Sequence, residues 1–356
     1  MKRILWEGKR GRTSLRPFRP FVNLGYLHNV GRKDVHTARY LCLNNDKRTL
    51  NKLANLKNIH LKKNTCTGKM EIFIDDSILL TNGKNVLSFE SFDLCFLIKH
   101  ELLRNREKMD LQKMPLTLTA NNLVDFLEGA VPQGEDKMHT KEEDKKVHFQ
   151  QQRAIMENKI FENFQNDLIL YQNGQPNMMD RVKKGGESQT IDLPKSLNYV
   201  ENYKIKNLTE EENNVYNKYI SIFENIHGVK LKRANHFETP VQDFHVEEKI
   251  KNLIKNMNSS GIFLFYKCTQ ILNSFVFSYL FLHGYIGYKD VYRCCNLESI
   301  YQFFKWGYVY DVHGAKDAGA LLALSSLRVF EALLRREEVM KIDQSEWLIK
   351  MANQNG

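Results

Sequence analysis

A run of 21 residues between Lys267 and Lys289 contains no formally charged side chain, and it restricts the fold more than any other segment. A membrane-spanning helix needs about 20 mostly apolar residues. Polar side chains interrupt this run, so a helix buried in a bundle fits it better than a membrane span. We therefore predict a buried helix near Ile271–Leu282 in a protein that is not transmembrane. The interrupting residues are Thr269, Gln270, Asn273, Ser274, Ser278 and His283.

The segment from Lys69 to Phe89 favours β structure. Three short β-prone runs, at 71–74, 78–81 and 86–89, alternate with turn-forming residues. Asn82-Gly83 tolerates positive φ and predicts a tight turn between antiparallel strands. A helix is expected next, from about Phe92 to Lys108, with one face formed by Phe92, Phe96, Lys99 and Leu103.

From about residue 207 onward the pattern becomes helical. Thr209 and Glu212 have the spacing of a capping box, and Gly228 is expected to end the helix that follows. That helix has an apolar stripe formed by Val215, Tyr219, Ile222 and Ile226. A shorter helix is predicted from about Asp290 to Lys305, stopped by Gly307. The last long helix has an apolar stripe formed by Ala323, Leu327, Phe330 and Leu334.

These patterns predict an α+β fold, with a β-rich N-terminal domain followed by an α-helical, orthogonal bundle-like C-terminal domain. Residues 135–146 are mostly charged, and residues 173–190 are rich in Gly, Pro, Lys and Ser. We interpret both segments as solvated linkers or insertions. The predicted organisation is a leader at 1–33, the β-rich domain at 34–125, a helical start with these insertions at 126–206, and the helical domain at 207–356.

The net charge of +10 lies mostly in the first 33 residues. They hold nine Lys or Arg residues and a single acid, Glu7, so the body of the chain is nearly neutral. A leader rich in Arg and poor in acids, with interspersed Leu, Trp and Phe, is typical of an organellar transit peptide. A disordered basic tail is the alternative. Because the body is nearly neutral, the sequence gives little support to a nucleic-acid-binding surface on the fold.

The sequence shows no recognisable catalytic site, and we predict no enzyme, no cofactor and no metal. The six cysteines include no Cys-x-x-Cys pair and are interpreted as reduced, mostly buried thiols. His100-Glu101 begins like a metalloprotease motif, but Arg104 stands where the second histidine ligand belongs, so a surface charged pair is expected. The phosphate-binding, dinucleotide-binding and Gly-x-Ser-x-Gly motifs are absent. A hydrolase using His100 and Glu101, or His313 and Asp311, is a weaker alternative.

Two segments carry a resemblance to a known family. One is Met-Pro-Leu-Thr-Leu-Thr-Ala-Asn at 114–121. The other is Asn-Leu-Glu-Ser-Ile-Tyr-Gln-Phe-Phe-Lys-Trp-Gly at 296–307, followed by Val309 and His313. Together they resemble the mitochondrial ATP synthase F1 complex assembly factor 2 family, also called the ATP12 family. Weaker similarities lie at 75–89, at Asp167–Tyr171 and at Thr239–Gln242, and their order agrees with the family over about residues 65–335.

The resemblance implies an assembly chaperone that binds the unassembled alpha subunit of F1 in mitochondria, in the matrix or in association with the inner membrane. A basic organellar nucleic-acid-binding protein is the alternative function. Three positions that are acidic in the family are occupied by Ser299, Ile300 and Tyr310 in this sequence. The Asp that follows the histidine in the family is Gly314 here. The resemblance therefore implies partner binding by Glu298, Gln302, Trp306 and His313. It implies structural roles for Met114, Pro115, Thr117, Asn121, Asp167, Tyr171 and Gly307.

The physical chemistry of the second segment agrees with part of this assignment. On a helix, the buried stripe is expected to contain Leu297, Ile300, Tyr301 and Phe304. Glu298 and Gln302 fall one turn apart on a more polar stripe and can face a partner together. An ion pair or cap made by Glu298 within the bundle is the competing interpretation. Met114-Pro115 is expected to fix the domain junction, because Pro115 favours an extended predecessor and lacks an N–H group.

Overall fold

The structure is a computed structural model of the 356-residue chain. It describes residues 39–42, 58–107, 110–129, 142–172, 208–235, 239–307 and 314–354, all within one unit, Ala38–Gly356. The leader at 1–33, the segment 173–190 and His313 lie outside the described residues. The predicted domain boundaries at 125 and 206 remain predictions.

The predicted α+β fold is confirmed, with a small sheet followed by a mostly helical region. The sheet has the strand order β1-β4-β3-β2, and β5 pairs with the far half of β3. Its β2–β3, β3–β4 and β3–β5 pairs are antiparallel, whereas β1 runs parallel to β4. The strands are β1 (Arg39–Cys42), β2 (Ile59–Lys63), β3 (Met70–Ile74), β4 (Ser77–Leu80) and β5 (Ser88–Phe89).

The predicted turn at Asn82-Gly83 forms, but its left-handed residue is Lys84, at φ +64°. Lys84 N donates to Thr81 O at 3.0 Å, and Thr81 N donates to Asn85 O at 2.8 Å. This is a three-residue loop, in which a turn is followed by one left-handed residue. The sequence-based expectation of positive φ at Asn82-Gly83 was therefore wrong by one position.

Ten α-helices occur in the described ranges, in addition to short 3-10 helices at Leu111–Lys113 and Leu168–Leu170. A two-stranded parallel ribbon joins β6 (Tyr171–Gln172) to β7 (Ala234–Asn235). The helices are α1 (Phe92–Arg104), α2 (Pro115–Leu127), α3 (Glu142–Gln165), α4 (Leu208–His227), α5 (Phe244–Lys255), α6 (Ser259–Leu272), α7 (Phe275–Leu282), α8 (Tyr288–Cys295), α9 (Leu297–Trp306) and α10 (Ala315–Gln354).

Two segments predicted as single helices are each a pair of helices. The buried run divides into α6 and α7 because Asn273 adopts a left-handed conformation at φ +50°. Ser274 then caps α7 by accepting a hydrogen bond from Phe277 N at 3.1 Å. The segment predicted at 290–305 divides at Asn296, between α8 and α9. Burial of α7 is confirmed, since all eight of its residues are buried. Over the residues that the structure describes, no helix is long and apolar enough to cross a membrane.

Three further local predictions need correction. The buried face of α1 is formed by Leu94, Cys95, Ile98 and Leu102, whereas Phe92 and Phe96 are exposed. Part of the predicted charged linker is helical, because α3 begins at Glu142. The capping box does not form, since α4 begins at Leu208 and the Thr209 hydroxyl has no hydrogen-bond partner.

The core joins the sheet to the helices. It includes Ile72 of β3, Leu123 of α2, Phe164 of α3, Phe275 of α7 and Phe330 of α10. Aromatic contacts connect these layers, for example between Phe89 and Phe330, whose ring centroids lie 5.9 Å apart. Of the five cysteines whose environment is described, Cys95, Cys268 and Cys294 are buried, Cys295 is half-buried and Cys66 is exposed, which agrees with the prediction of mostly buried thiols.

Candidate partner-binding surface

Helix α9 is fixed to the bundle by one apolar stripe. Leu297, Ile300 and Tyr301 are buried, as their helical spacing predicted. The preceding Asn296 joins α9 to α8: its side-chain amide donates to Tyr292 O at 2.8 Å, and its backbone N–H donates to Arg293 O at 3.0 Å. One face of α9 is therefore held in place, and its opposite face is available to solvent.

The outward face of α9 presents three of the residues assigned to partner binding. Glu298, Gln302 and Trp306 are spaced four residues apart, so they follow one line along the helix. The Gln302 Nε2 atom donates to Glu298 Oε1 at 3.1 Å. Glu298 is exposed, and Trp306 has 63% of its surface exposed. We call Glu298, Gln302 and Trp306 the α9 stripe.

Gly307 ends the helix immediately after the indole. Its backbone is at φ +95°, a region that side-chain-bearing residues rarely adopt. Its N–H group donates to Phe303 O at 3.0 Å, which closes the last turn. His313 lies outside the described residues, so its participation in this surface remains a prediction.

The α9 stripe offers contacts rather than catalysis. A carboxylate, an amide and an indole on one exposed line can accept, donate and bury surface against another protein. Tryptophan is among the side chains that most often dominate the free energy of such interfaces. In the described ranges, no group of three or more His, Cys, Asp or Glu residues could hold a metal ion.

The residues of the first motif begin helix α2. Pro115 is its first residue and Met114 precedes it with φ −120° and no side-chain cap. Proline suits this position because its missing N–H would have no partner within the helix. Met114 and Thr117 are fully buried.

Glu101 caps α2 from a neighbouring helix. Its carboxylate accepts from Leu116 N at 3.1 Å, from Thr117 N at 2.6 Å and from Thr117 Oγ1 at 2.7 Å. Burial raises the pKa of Glu101, and these hydrogen bonds partly oppose that rise. The expected surface charged pair with His100 is therefore wrong, because Glu101 supplies the acceptor that Met114 lacks.

Helix α2 also holds the loop that connects β4 to β5. The buried Asn121 accepts a hydrogen bond from Asn82 N through its Oδ1 atom at 2.9 Å. The carboxylate of Asp125 accepts from Gly83 N at 2.9 Å, from Asn85 Nδ2 at 3.0 Å and from the Thr81 hydroxyl. The structural assignment of Asn121 is thus explained by a loop that lies about 40 residues earlier in the chain.

Asp167 joins three elements in the centre of the bundle. It is fully buried, and its carboxylate accepts from Ile169 N at 3.2 Å and from Val276 N at 2.9 Å. Burial raises the pKa of Asp167 to about 6, despite these hydrogen bonds and one from Ser274. The carboxylate therefore fixes the first turn of α7. Tyr171 follows in β6, in register with Ala234 of β7.

Sequence reasoning did not find Glu101, Asp125 or Arg153 as organising residues. Arg153 of α3 donates to Met257 O at 2.8 Å and to Ser259 Oγ at 2.9 Å, and so fixes the α5–α6 junction. One signal was present for Glu101: a helix that begins with Met114-Pro115 has no acceptor of its own at the N-cap and needs one from elsewhere. The other two side chains meet partners about 40 and 100 residues away, and no local pattern marks them.

Comparison with known proteins agrees with this architecture. Residues 56–221 match the sequence model of the family described as "ATP12 chaperone protein". A mitochondrial atp12 protein from Schizosaccharomyces pombe is 32% identical over 98 residues, which covers 26% of this chain and 32% of that protein. The match thus spans about a third of the length of this curated relative.

Two solved structures share the fold. The structure of Atp12 from Paracoccus denitrificans has a TM-score of 0.56 at 16% identity, covering 78% of this chain and 96% of its own. Atu1473 from Agrobacterium tumefaciens, described as a putative chaperone, has a TM-score of 0.59 at 13% identity, covering 79% of this chain and 85% of its own. At such identities the likeness concerns the fold alone.

The chain therefore has an α+β fold that it shares with the solved structures of Atp12 and of Atu1473. The resemblance drawn from the sequence to the ATP12 chaperone family is confirmed, with the sequence match lying at residues 56–221. The α9 stripe lies beyond that matched segment, so its assignment to partner binding remains a proposal.

Proposed function

We propose that this chain is an assembly chaperone for ATP synthase. The observation that supports it most directly is the match of residues 56–221 to the ATP12 chaperone family. The finer proposal is that the client is the alpha subunit of F1 before assembly, which the chain keeps from aggregating and releases to form alpha/beta contacts. The mitochondrial relative supports a mitochondrial location, and we place the protein in the matrix, where it can also associate with the inner membrane.

Such a function requires an interface that covers the client and can later be displaced, and it requires no catalytic reaction. An unassembled subunit exposes an apolar surface that its neighbour later covers, and a large patch of this kind invites aggregation. A specific interface of about 800 Å² per partner, with energy concentrated in a few anchors, binds selectively and still permits displacement. The α9 stripe supplies such an anchor in Trp306, next to the polar pair of Glu298 and Gln302. We accordingly propose a non-enzymatic role.

The test measures client capture and stability together. The full-length chain should suppress light scattering by the cognate alpha subunit on warming. Glu298→Lys should weaken capture at least about ten-fold, since a reversed charge faces the partner. Its melting temperature should change little, because Glu298 is exposed.

Glu248→Lys is the matched control, because it reverses an exposed glutamate on α5. It should leave capture and melting temperature close to those of the unmodified chain. Equal loss of capture and stability in Glu298→Lys would show that Glu298 is structural. Failure of the unmodified chain to suppress aggregation, with retention on RNA instead, would favour the nucleic-acid-binding alternative.

A further inference from the structure

Two histidine rings contact the same tyrosine in the helical region. The Tyr279 side chain of α7 is buried. The ring of His283, the residue that follows α7, stacks on the Tyr279 ring with a centroid distance of 3.9 Å and an interplanar angle of 19°. The ring of His227, the last residue of α4, meets the Tyr279 ring edge-on with a centroid distance of 4.6 Å. We call His227, Tyr279 and His283 the His-Tyr-His cluster.

Three helices meet at the His-Tyr-His cluster. On α4, the His227 ring also packs against Phe223, with centroids 4.5 Å apart. From α10, the guanidinium of Arg328 donates to Leu282 O, directly before His283. The cluster therefore lies where the carboxyl ends of α4 and α7 are held together beside α10.

Neither imidazole has the acceptors that a positive charge requires. A charged imidazole has two N–H groups to satisfy. The His227 Nε2 atom is buried and has no hydrogen-bond partner among the described residues. The His283 Nδ1 atom lies 2.9 Å from Tyr279 O. Because a carbonyl oxygen only accepts, Nδ1 carries the proton of the neutral His283 ring, and a second proton would go to Nε2.

The surroundings of His227 oppose protonation. Burial is the largest cause of the lowered pKa of His227, and the neighbouring His283 and Lys249 lower it further. Lys249 comes from α5, and its ammonium group lies near Gly228, where the chain leaves α4. The end of a helix usually favours a charged imidazole, but here burial acts in the opposite direction.

The surroundings of His283 have the same net effect. Burial is the largest cause of its lowered pKa, and Arg335 and Arg328 add to it, whereas Tyr279 O and Glu331 act against it. Glu331 pairs with Arg335. Tyr279 stays neutral, because burial and the neighbouring Tyr285 raise its pKa. The charged and titratable groups that face the two imidazoles are therefore Lys249 of α5, Tyr279 of α7, Tyr285 after α7, and Arg328, Glu331 and Arg335 of α10.

Solvent has a path to the cluster. A cavity of about 260 Å³ is lined by Tyr279, His283, Glu331 and Arg335. His283 is half-buried, so it can take up a proton without unfolding of the chain.

We propose that the His-Tyr-His cluster is an acid-sensitive contact, which holds the ends of α4 and α7 together at neutral pH and releases them as the pH falls. Neutral rings pack against Tyr279 without an unmet need. Two imidazolium rings repel each other, face the cations of α5 and α10, and lack acceptors, so the closed contact loses free energy relative to an open one in which water solvates them. The contact goes beyond the proposed function, and its test uses no ATP synthase subunit.

The direction of the pH dependence follows from proton binding. Both histidines have a pKa below the ordinary value of 6.5 in the closed state, so the open state binds more protons as the pH falls through this value. The contact is therefore fully stable above pH 6.5 and weakens below it. The sign is opposite to that of Asp167, whose pKa is raised.

The experiment follows the two histidines and the two helix ends in the full-length chain. In an NMR titration of the imidazole signals, His227 and His283 should both titrate below pH 6.5. Amide hydrogen exchange, corrected for the intrinsic rate, should show at least about five-fold less protection at the ends of α4 and α7 at about pH 5.5 than at about pH 7.5.

A double variant and a control assign the effect to the cluster. His227→Phe keeps an aromatic ring and His283→Gln keeps a side-chain donor, and neither new side chain titrates. The double variant should have the same protection at both pH values within about two-fold. His245→Gln replaces an exposed histidine of α5 and should lose protection in acid as the unmodified chain does. Melting temperatures at neutral pH identify any variant that folds poorly, and the titration of the unmodified chain then decides.

Three results would overturn the proposal. The first is a pKa of 6.5 or higher for either histidine of the cluster. The second is equal protection of the two helix ends at both pH values in the unmodified chain. The third is the same loss of protection in the double variant as in the unmodified chain, because this would assign the effect of acid to other groups.

Discussion

Helices α7 and α9 are similar in length but opposite in what their side chains do. All eight residues of α7 are buried, and its first turn is held by the fully buried Asp167. Helix α9 buries one stripe and exposes another, where Trp306 has 63% of its surface exposed. Stability is therefore concentrated in α7, whereas α9 combines modest burial with an outward surface that a partner can use.

The contrast between α7 and α9 shows two roles that an aromatic residue can have. Phe275 at the start of α7 contacts Phe164, Phe223 and Phe265, which come from three different helices. Trp306 at the end of α9 is larger but mostly solvated. Burial, rather than residue type, decides whether an aromatic side chain stabilises the fold or remains available for binding.

The largest effect is expected from Phe275→Ala. Removing a fully buried ring leaves a cavity among three aromatic neighbours and should lower the free energy of unfolding by about 3–5 kcal/mol. Urea unfolding monitored by circular dichroism measures it. Phe244→Ala is the matched control, because the Phe244 ring is 80% exposed, and it should cost less than about 0.5 kcal/mol. Equal costs for the two variants would contradict the central position of α7.

Asp167→Ala should have the next largest effect. It leaves the buried N–H groups of Val276 and Ile169 without an acceptor and should cost about 2–4 kcal/mol near pH 7. Asp167→Asn retains one acceptor and should cost less. If both variants match the unmodified chain, the carboxylate does not hold α7.

The same variants test a dependence on pH with a defined sign. The pKa of Asp167 is about 6 in the folded protein, above its ordinary value of 3.8, so the folded state binds more protons between these values. The stabilisation that arises from proton uptake by Asp167 is full below pH 3.8 and is lost as pH rises through 6, whereas its hydrogen bonds to the backbone persist at pH 7. The stability gap between the unmodified chain and Asp167→Asn should therefore widen by about 1 kcal/mol from pH 7 to pH 5. A constant gap, measured by urea unfolding at both pH values, would exclude this titration.

The two helices also show how far sequence reasoning extends. The uncharged apolar run predicted the burial of the α7 region, and helical periodicity predicted the buried stripe of α9. Neither pattern predicted the breaks at Asn273 and Asn296, although Asn tolerates a left-handed conformation and Ser274 is a favoured N-cap. The bond from Asp167 to Val276 spans 109 residues. Its geometry depends on tertiary packing, which no local pattern contains.

The candidate surface was predictable to a similar extent. Helical spacing placed Glu298 and Gln302 on one stripe, and their hydrogen bond at 3.1 Å agrees with it. The caps on α2 were not foreseen, because Glu101 and Asp125 act across helices and loops. Residues that interact within one turn can be identified from sequence, whereas residues that organise distant segments need the fold.

Trp306→Ala should have the smallest effect on stability and a large effect on binding. Because the indole is 63% exposed, its removal should change the free energy of unfolding by less than about 0.5 kcal/mol. Capture of the alpha subunit should weaken about ten-fold or more if the indole is an anchor of the proposed interface.

Phe92→Ala, which removes an exposed ring from α1, controls for loss of surface apolar area and should preserve capture. A loss of stability approaching that of Phe275→Ala would place Trp306 in the core, and unchanged capture would remove it from the interface. Only a stable variant with weakened capture agrees with a helix that is buried on one stripe and binds through the other.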